Sequence, residues 1–93
     1  MGDYRVFETR TYQEELTKIS RSGLPGIKEK LQEHIYPQIR TEPHFGPHIK
    51  RLKHWDPPTW RYLVGAWRFF YEIHERERSV YMTAAEHRGR AYK

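Results

Sequence analysis

The sequence predicts an α+β domain: two N-terminal helices packed as one layer on an antiparallel sheet, in the element order β-α-α-β-β-β. Three observations lead there. Apolar residues between Tyr12 and Ile35 recur at spacings of three and four, the period of an amphipathic helix. From Thr59 onward the period becomes two, that of a half-buried strand. The length, 93 residues, suits a single domain spanning 1–93, and three Trp, seven Tyr and four Phe supply large side chains for a modest core.

Taken in order, residues 3–9 (DYRVFET) alternate, with Tyr4, Val6 and Glu8 on one side and Arg5 and Phe7 on the other, which predicts a short first strand. Thr9 or Thr11 can cap the helix that follows, because a hydroxyl oxygen accepts from the unpaired N–H groups of a first turn. Tyr12, Leu16 and Ile19 share one face of that helix, and Gly23 ends it. Leu24, Ile27, Leu31 and Ile35 mark a second amphipathic helix, with Pro25 suited to its first turn. Pro37 lacks a donor and disfavours helical geometry at Tyr36, so this helix is expected to stop or kink there. Residues 40–58 hold four of the six prolines plus Gly46 and read as an extended basic loop. Strands are expected at about 59–64, 67–74 and 79–86.

The stretch TWRYLVGAWRFFYEI (59–73) sets a register. If Gly65–Ala66 is a two-residue loop, with Gly65 supplying the positive φ of a type II′ turn, then Val64 pairs with Trp67, Tyr62 with Phe69 and Trp60 with Tyr71 on the helix-covered side. Leu63 then faces Arg68, and Arg61 faces Phe70, on the other side. The two arginines become diagonal neighbours about 7–8 Å apart at the backbone, a like-charged arrangement that makes sense with an anion between them. The competing reading pairs each arginine with Glu72, Glu86 or the C-terminus. A four-residue loop at 75–78 pairs His74 with Ser79, sends Val80, Met82 and Ala84 to the core and lines the arginine face with Tyr81, Thr83 and Ala85. Where the last strand ends, Glu86, His87, Arg88, Arg90 and Tyr92 form a rim with the parts of an RNA-cleaving site. Guanidinium forks hold phosphate, tyrosine stacks on a base, and histidine exchanges protons near neutral pH.

Seventeen Lys plus Arg against twelve Asp plus Glu give a net charge of +5, which favours a polyanionic partner. The basic residues Lys50, Arg51, Lys53 and Arg90 are candidates to bind RNA phosphates. The absence of cysteine excludes disulfides and thiolate metal sites and suits a reducing cytoplasm. No apolar run approaches the roughly 20 residues needed to span a bilayer, and no signal-peptide segment opens the chain, so no membrane partner is expected. His44 and His48 have a spacing that binds metal when helical, but the intervening FGP forbids that helix. Neither a metal nor another cofactor is expected.

With YRVFET, two short helices, HIKRLK, TWRYLVGAWRFFYEI and EHRGRAYK in this order and spacing, the chain resembles the RelE/ParE toxin superfamily of toxin–antitoxin systems over nearly its whole length. It is most like the RelE-type mRNA interferases. The resemblance implies a RelE-like fold and a cytoplasmic toxin that enters the ribosomal A site and cuts mRNA without metal until a cognate antitoxin masks it. By position it implies Arg61, Arg68, Arg88 and Tyr92 as the catalytic set. Arginine is a poor base, which leaves His87 or Glu86 as general-base candidates. Leu63 departs from the pattern, because many relatives carry Lys or Arg there; His87, Lys50 and Lys53 are candidates to compensate. Two other readings compete: a ParE-like toxin that poisons DNA gyrase and lacks the full catalytic set, and a non-catalytic RNA-binding domain with salt-dependent affinity for free RNA.

Overall fold

A computed structural model describes residues 3–21 and 26–88. Its strands are β1 (Arg5–Glu8), β2 (Ile49–Arg51), β3 (Trp60–Val64), β4 (Trp67–His74) and β5 (Ser79–His87), and its helices are α1 (Arg10–Arg21), α2 (Ile27–Lys30) and α3 (Tyr36–Thr41). The five strands form one sheet in the order β1-β5-β4-β3-β2. Side chains alternate across it, and one face is dry: Phe69, Tyr71, Val80 and Met82 have no exposed surface. Against them pack Tyr12, Leu16 and Ile19 of α1 and Ile27, Leu31, Ile35, Tyr36 and Ile39 of the second helical arm. The expected α+β layering therefore holds, with the helices of the described residues on one side. No helix among the described residues is long and apolar enough to cross a membrane.

Thr9 caps α1. Its Oγ1 accepts from the Tyr12 N–H at 3.3 Å and donates to the Met82 carbonyl at 2.9 Å, tying the helix start to β5. A buried chain of hydroxyls then joins both helical arms to β1: Tyr12 and Tyr36 share a hydrogen bond of 2.7 Å, and Tyr36 donates to Glu8 Oε2 at 2.6 Å. Burial pushes the pKa of both tyrosines upward, so each stays a neutral donor. Gly23, Leu24 and Pro25 lie outside the described residues.

The hairpin register is the expected one at every pair: Val64–Trp67, Leu63–Arg68, Tyr62–Phe69, Arg61–Phe70 and Trp60–Tyr71. Gly65 has φ +59°, and Ala66 does not share the positive φ, as a type II′ turn requires.

Four features differ from the sequence expectation. The sheet is mixed, because β1 runs parallel to β5, Val6 beside Val80, after the chain has crossed over the helical layer. The second helix does not stop at Pro37. A π turn at Leu31–Ile35, in which the Tyr36 N–H reaches the Leu31 carbonyl, precedes it, so the proline enters as a first-turn residue of α3. The expected loop at 40–58 contains the end of α3 and the short edge strand β2, whose Ile49, Lys50 and Arg51 pair with Tyr62, Arg61 and Trp60. Lastly, β5 carries a bulge: Tyr71 pairs with Met82 but Phe70 with Ala84, which leaves Thr83 as an extra residue. The bulge flips the faces beyond it, so Ala85 (2% exposed) fills the core position expected for Ala84, and Ala84 takes the open face.

The two faces predict opposite tolerance. Phe69→Ala, in the dry layer, is expected to cost about 3–5 kcal/mol in denaturant unfolding. Leu63→Ala, 40% exposed on the other side of the same hairpin, is expected to stay within about 0.5 kcal/mol of the parent.

Candidate functional site

Beyond β4's dry side chains lies a face that no helix covers among the described residues. Alternation along the strands assigns to it Lys50 from β2, Arg61 and Leu63 from β3, Arg68 and Phe70 from β4, and Ala84 and Glu86 from β5. Lys50 sits directly across from Arg61, and Arg68 one diagonal step further, so three cations from three adjacent strands share one patch. A shallow hollow of about 380 Å³ opens beside them, lined by His48, Lys50, Arg61 and Leu63 among others. Arg61 has no ion pair with a carboxylate among the described residues, and its Nε is buried without a hydrogen-bond partner. A buried donor left unpaired costs about 1–3 kcal/mol, a cost that an anionic ligand would remove.

Arg68 has a carboxylate neighbour. Its Nε lies 3.5 Å from Glu86 Oε1, directly across the β4–β5 ladder, and both side chains are part-exposed. Among the described residues the competing reading of the arginines is thus realised for Arg68 alone; Glu72 turns instead to His74, at 3.4 Å. A half-exposed pair of this type is worth about 0–1 kcal/mol and yields easily to a phosphate.

The remaining candidates divide by face. Arg88 is exposed, and its backbone N–H bonds the Ala66 carbonyl at 2.9 Å, which holds it beside the hairpin tip on the alternation that carries Arg68 and Glu86. His87 does not join the arginines. The bulge turns it to the helix side, where its ring meets Trp67 edge-on at 5.1 Å and its Nδ1 is buried without a partner. Arg51 also faces away, its guanidinium 5.5 Å from the Trp60 ring. Lys53 is exposed in the turn after β2. Arg90 and Tyr92 lie outside the described residues.

One feature of this face escaped the sequence reading. Trp55, from the β2–β3 loop, stacks on Phe70 at 5.8 Å and 14°, yet stays 52% exposed. A lone tryptophan in the proline-rich segment HWDPP was the available signal. A second hollow, about 330 Å³, lies on the helix side among Glu8, Gln13, Thr17 and Lys28, and there Glu8 is already held by Tyr36 and Gln13.

A small domain with helices on one face of a mixed five-stranded sheet has solved counterparts. The chain aligns over 96% of its length with 93% of a chain in the RelBE2 toxin–antitoxin complex from Mycobacterium tuberculosis, with a TM-score of 0.73 and 24% identity. It aligns over 96% with 99% of a chain in the archaeal RelE–RelB complex from Pyrococcus horikoshii OT3, with a TM-score of 0.69 and 19% identity. A metal-bound toxin from Helicobacter pylori aligns over 92% of this chain and 96% of its own, with a TM-score of 0.69 and 12% identity. No protein-family model and no curated protein matches the sequence. The fold is that of the RelE toxins.

At the sheet's far end His44 bridges two carboxylates, Nδ1 to Glu42 at 3.0 Å and Nε2 to Glu75, while the Tyr4 hydroxyl donates to Glu75 at 2.8 Å. Burial opposes the imidazolium, but the bonds to Glu75 and Glu42 outweigh it and raise the His44 pKa above 6.5. Hydrogen bonds from the backbone and ring of His44 lower Glu42 below 4.5, and the bond from His44 lowers Glu75 likewise. A raised histidine stabilises the fold below its unfolded pKa and loses that contribution as pH climbs through the folded value. A lowered carboxylate stabilises above its unfolded pKa and loses it on acidification. Thermal melts across pH 4 to 8 should therefore peak between the two ordinary values, 4.5 and 6.5. His44→Gln is expected to flatten the alkaline limb of that curve.

Proposed function

We propose that this chain is the toxin of a toxin–antitoxin pair and that it cuts mRNA on the ribosome without a metal. The observation that carries the reading is the gathering of Lys50, Arg61 and Arg68 on the bare face, with Arg61 lacking any carboxylate partner among the described residues. In water such a cluster repels itself; around a phosphodiester it becomes a clamp. The fold shared with chains from RelE–RelB complexes supports an antitoxin as the physiological partner, one that covers this basic face. The ribosomal A site and the cytoplasm follow from the same reading.

The chemistry is an in-line displacement. The 2′-oxygen of the nucleotide 5′ to the cut bonds to the adjacent phosphorus, the bond from phosphorus to the 5′-oxygen breaks, and a cyclic phosphate and a 5′-hydroxyl result. Arg61 and Arg68, with Arg88 from the rim, stabilise the charge that grows on the phosphoryl oxygens. Glu86, beside Arg68 on the open face, accepts the proton of the 2′-hydroxyl, and Lys50 supplies one to the departing 5′-oxygen. Lys50 also fills the role that Leu63 cannot: a second cation next to Arg61, delivered from β2 instead of β3. Tyr92 holds the neighbouring base.

Primer extension on translating ribosomes tests this. The wild-type chain should leave discrete new mRNA ends, and Arg61→Ala or Arg68→Ala should lower the cleavage rate about 100- to 1,000-fold with the melting temperature retained. Intact mRNA together with inhibited DNA supercoiling would transfer the chain to the gyrase-poisoning class.

A further inference from the structure

Phe70 is the cross-strand neighbour of Arg61 on one side and of Ala84 on the other, so its ring lies in the same row as Lys50 and Arg61 on the bare face. On that far side the neighbour is Ala84, whose side chain is a single methyl group. Over the ring lies Trp55, nearly parallel to it at 14°, with half of its surface open to water. The loop that delivers Trp55 is closed at its base by a hydrogen bond of 2.9 Å from the Leu52 N–H to the Thr59 carbonyl, and Thr59 Oγ1 donates to the Pro57 carbonyl at 3.0 Å. An indole exposed to this extent, stacked on a second ring and fixed by an ordered loop, contributes little to the core.

We infer that Trp55, backed by Phe70, is a stacking shelf for a nucleobase of the RNA whose phosphate Lys50 and Arg61 grip, an assignment that rests on the ribonuclease reading above. The adjacency is the argument. A nucleotide presents a flat π-face a few ångströms from a phosphate, and this patch presents a flat aromatic face beside two cations, one with a buried unpaired Nε donor. Every base has such a face, so the shelf holds the strand without selecting its sequence. Trp55 is a binding residue: it fixes the strand, and the polar groups act on the phosphorus.

Steady-state cleavage of mRNA in programmed ribosomes separates the possibilities. Trp55→Ala is expected to raise KM on the order of 10- to 100-fold, with kcat changed far less, because stacking holds ground state and transition state alike. Trp55→Phe should restore most of the loss, and both variants should melt within a few degrees of the parent. Wild-type kinetics in Trp55→Ala would overturn the shelf while leaving the ribonuclease reading intact. So would a Trp55→Ala protein that cuts normally but escapes its purified antitoxin, which would give the indole to that partner. A wild-type chain that cuts no mRNA removes the ribonuclease reading and the shelf with it.

Discussion

Burial on one side only is the constraint from which this molecule's chemistry follows. Two helical arms cover a single face of the sheet, and the period of two along each strand then consigns every second residue to the other face. In β3 and β4 the covered positions are Trp60, Tyr62, Val64, Trp67, Phe69, Tyr71 and Ile73, large enough to fill the space under the helices. The positions between them are free to carry charge, and Arg61 and Arg68 occupy them. A core hairpin can hold arginines because only half of it is core.

The bulge at Thr83 acts on the same alternation. By inserting one residue it turns Glu86 to face Arg68 and His87 to face Trp67, and so decides which carboxylate and which imidazole reach the basic patch. Without it the histidine would sit among the arginines and the glutamate beneath the helices. Bulges commonly re-aim side chains near functional sites, and here the change swaps one candidate base for another. The patch that results joins three cations, one carboxylate and a pair of stacked rings on a surface where none of them is needed for the core.

Much of this was legible from local signals. Gly65–Ala66 dictates a two-residue turn, and from that turn the whole β3–β4 register and the shared face of Arg61 and Arg68 follow. Tyr12, Leu16 and Ile19 marked the buried side of α1 by spacing alone. The features that escaped depend on contacts between distant segments. In YMTAAEH (81–87) nothing distinguishes Ala84 from Ala85 as the inward residue, because both are small and apolar, so the bulge left no trace in the pattern. β2 is three residues long and is a strand only because β3 offers it an edge. The parallel pairing of β1 with β5 joins residues more than 70 positions apart, and the Trp55–Phe70 stack likewise joins a loop to a strand. Pro37 correctly signalled a disturbance, but the helix absorbed it in a π turn one step earlier.

The central claim, that the open-face arginines grip one phosphodiester together, is tested most directly by following the arginine Nε–Hε resonances of ¹⁵N-labelled protein. The ligand is a 2′-O-methylated RNA trinucleotide, which keeps the phosphates and lacks the attacking hydroxyl. The account predicts that Arg61 and Arg68 shift together along one saturation curve while Arg51, on the helix side of β2, stays unmoved. Separate midpoints for the two arginines, or a response confined to Arg51, would contradict it.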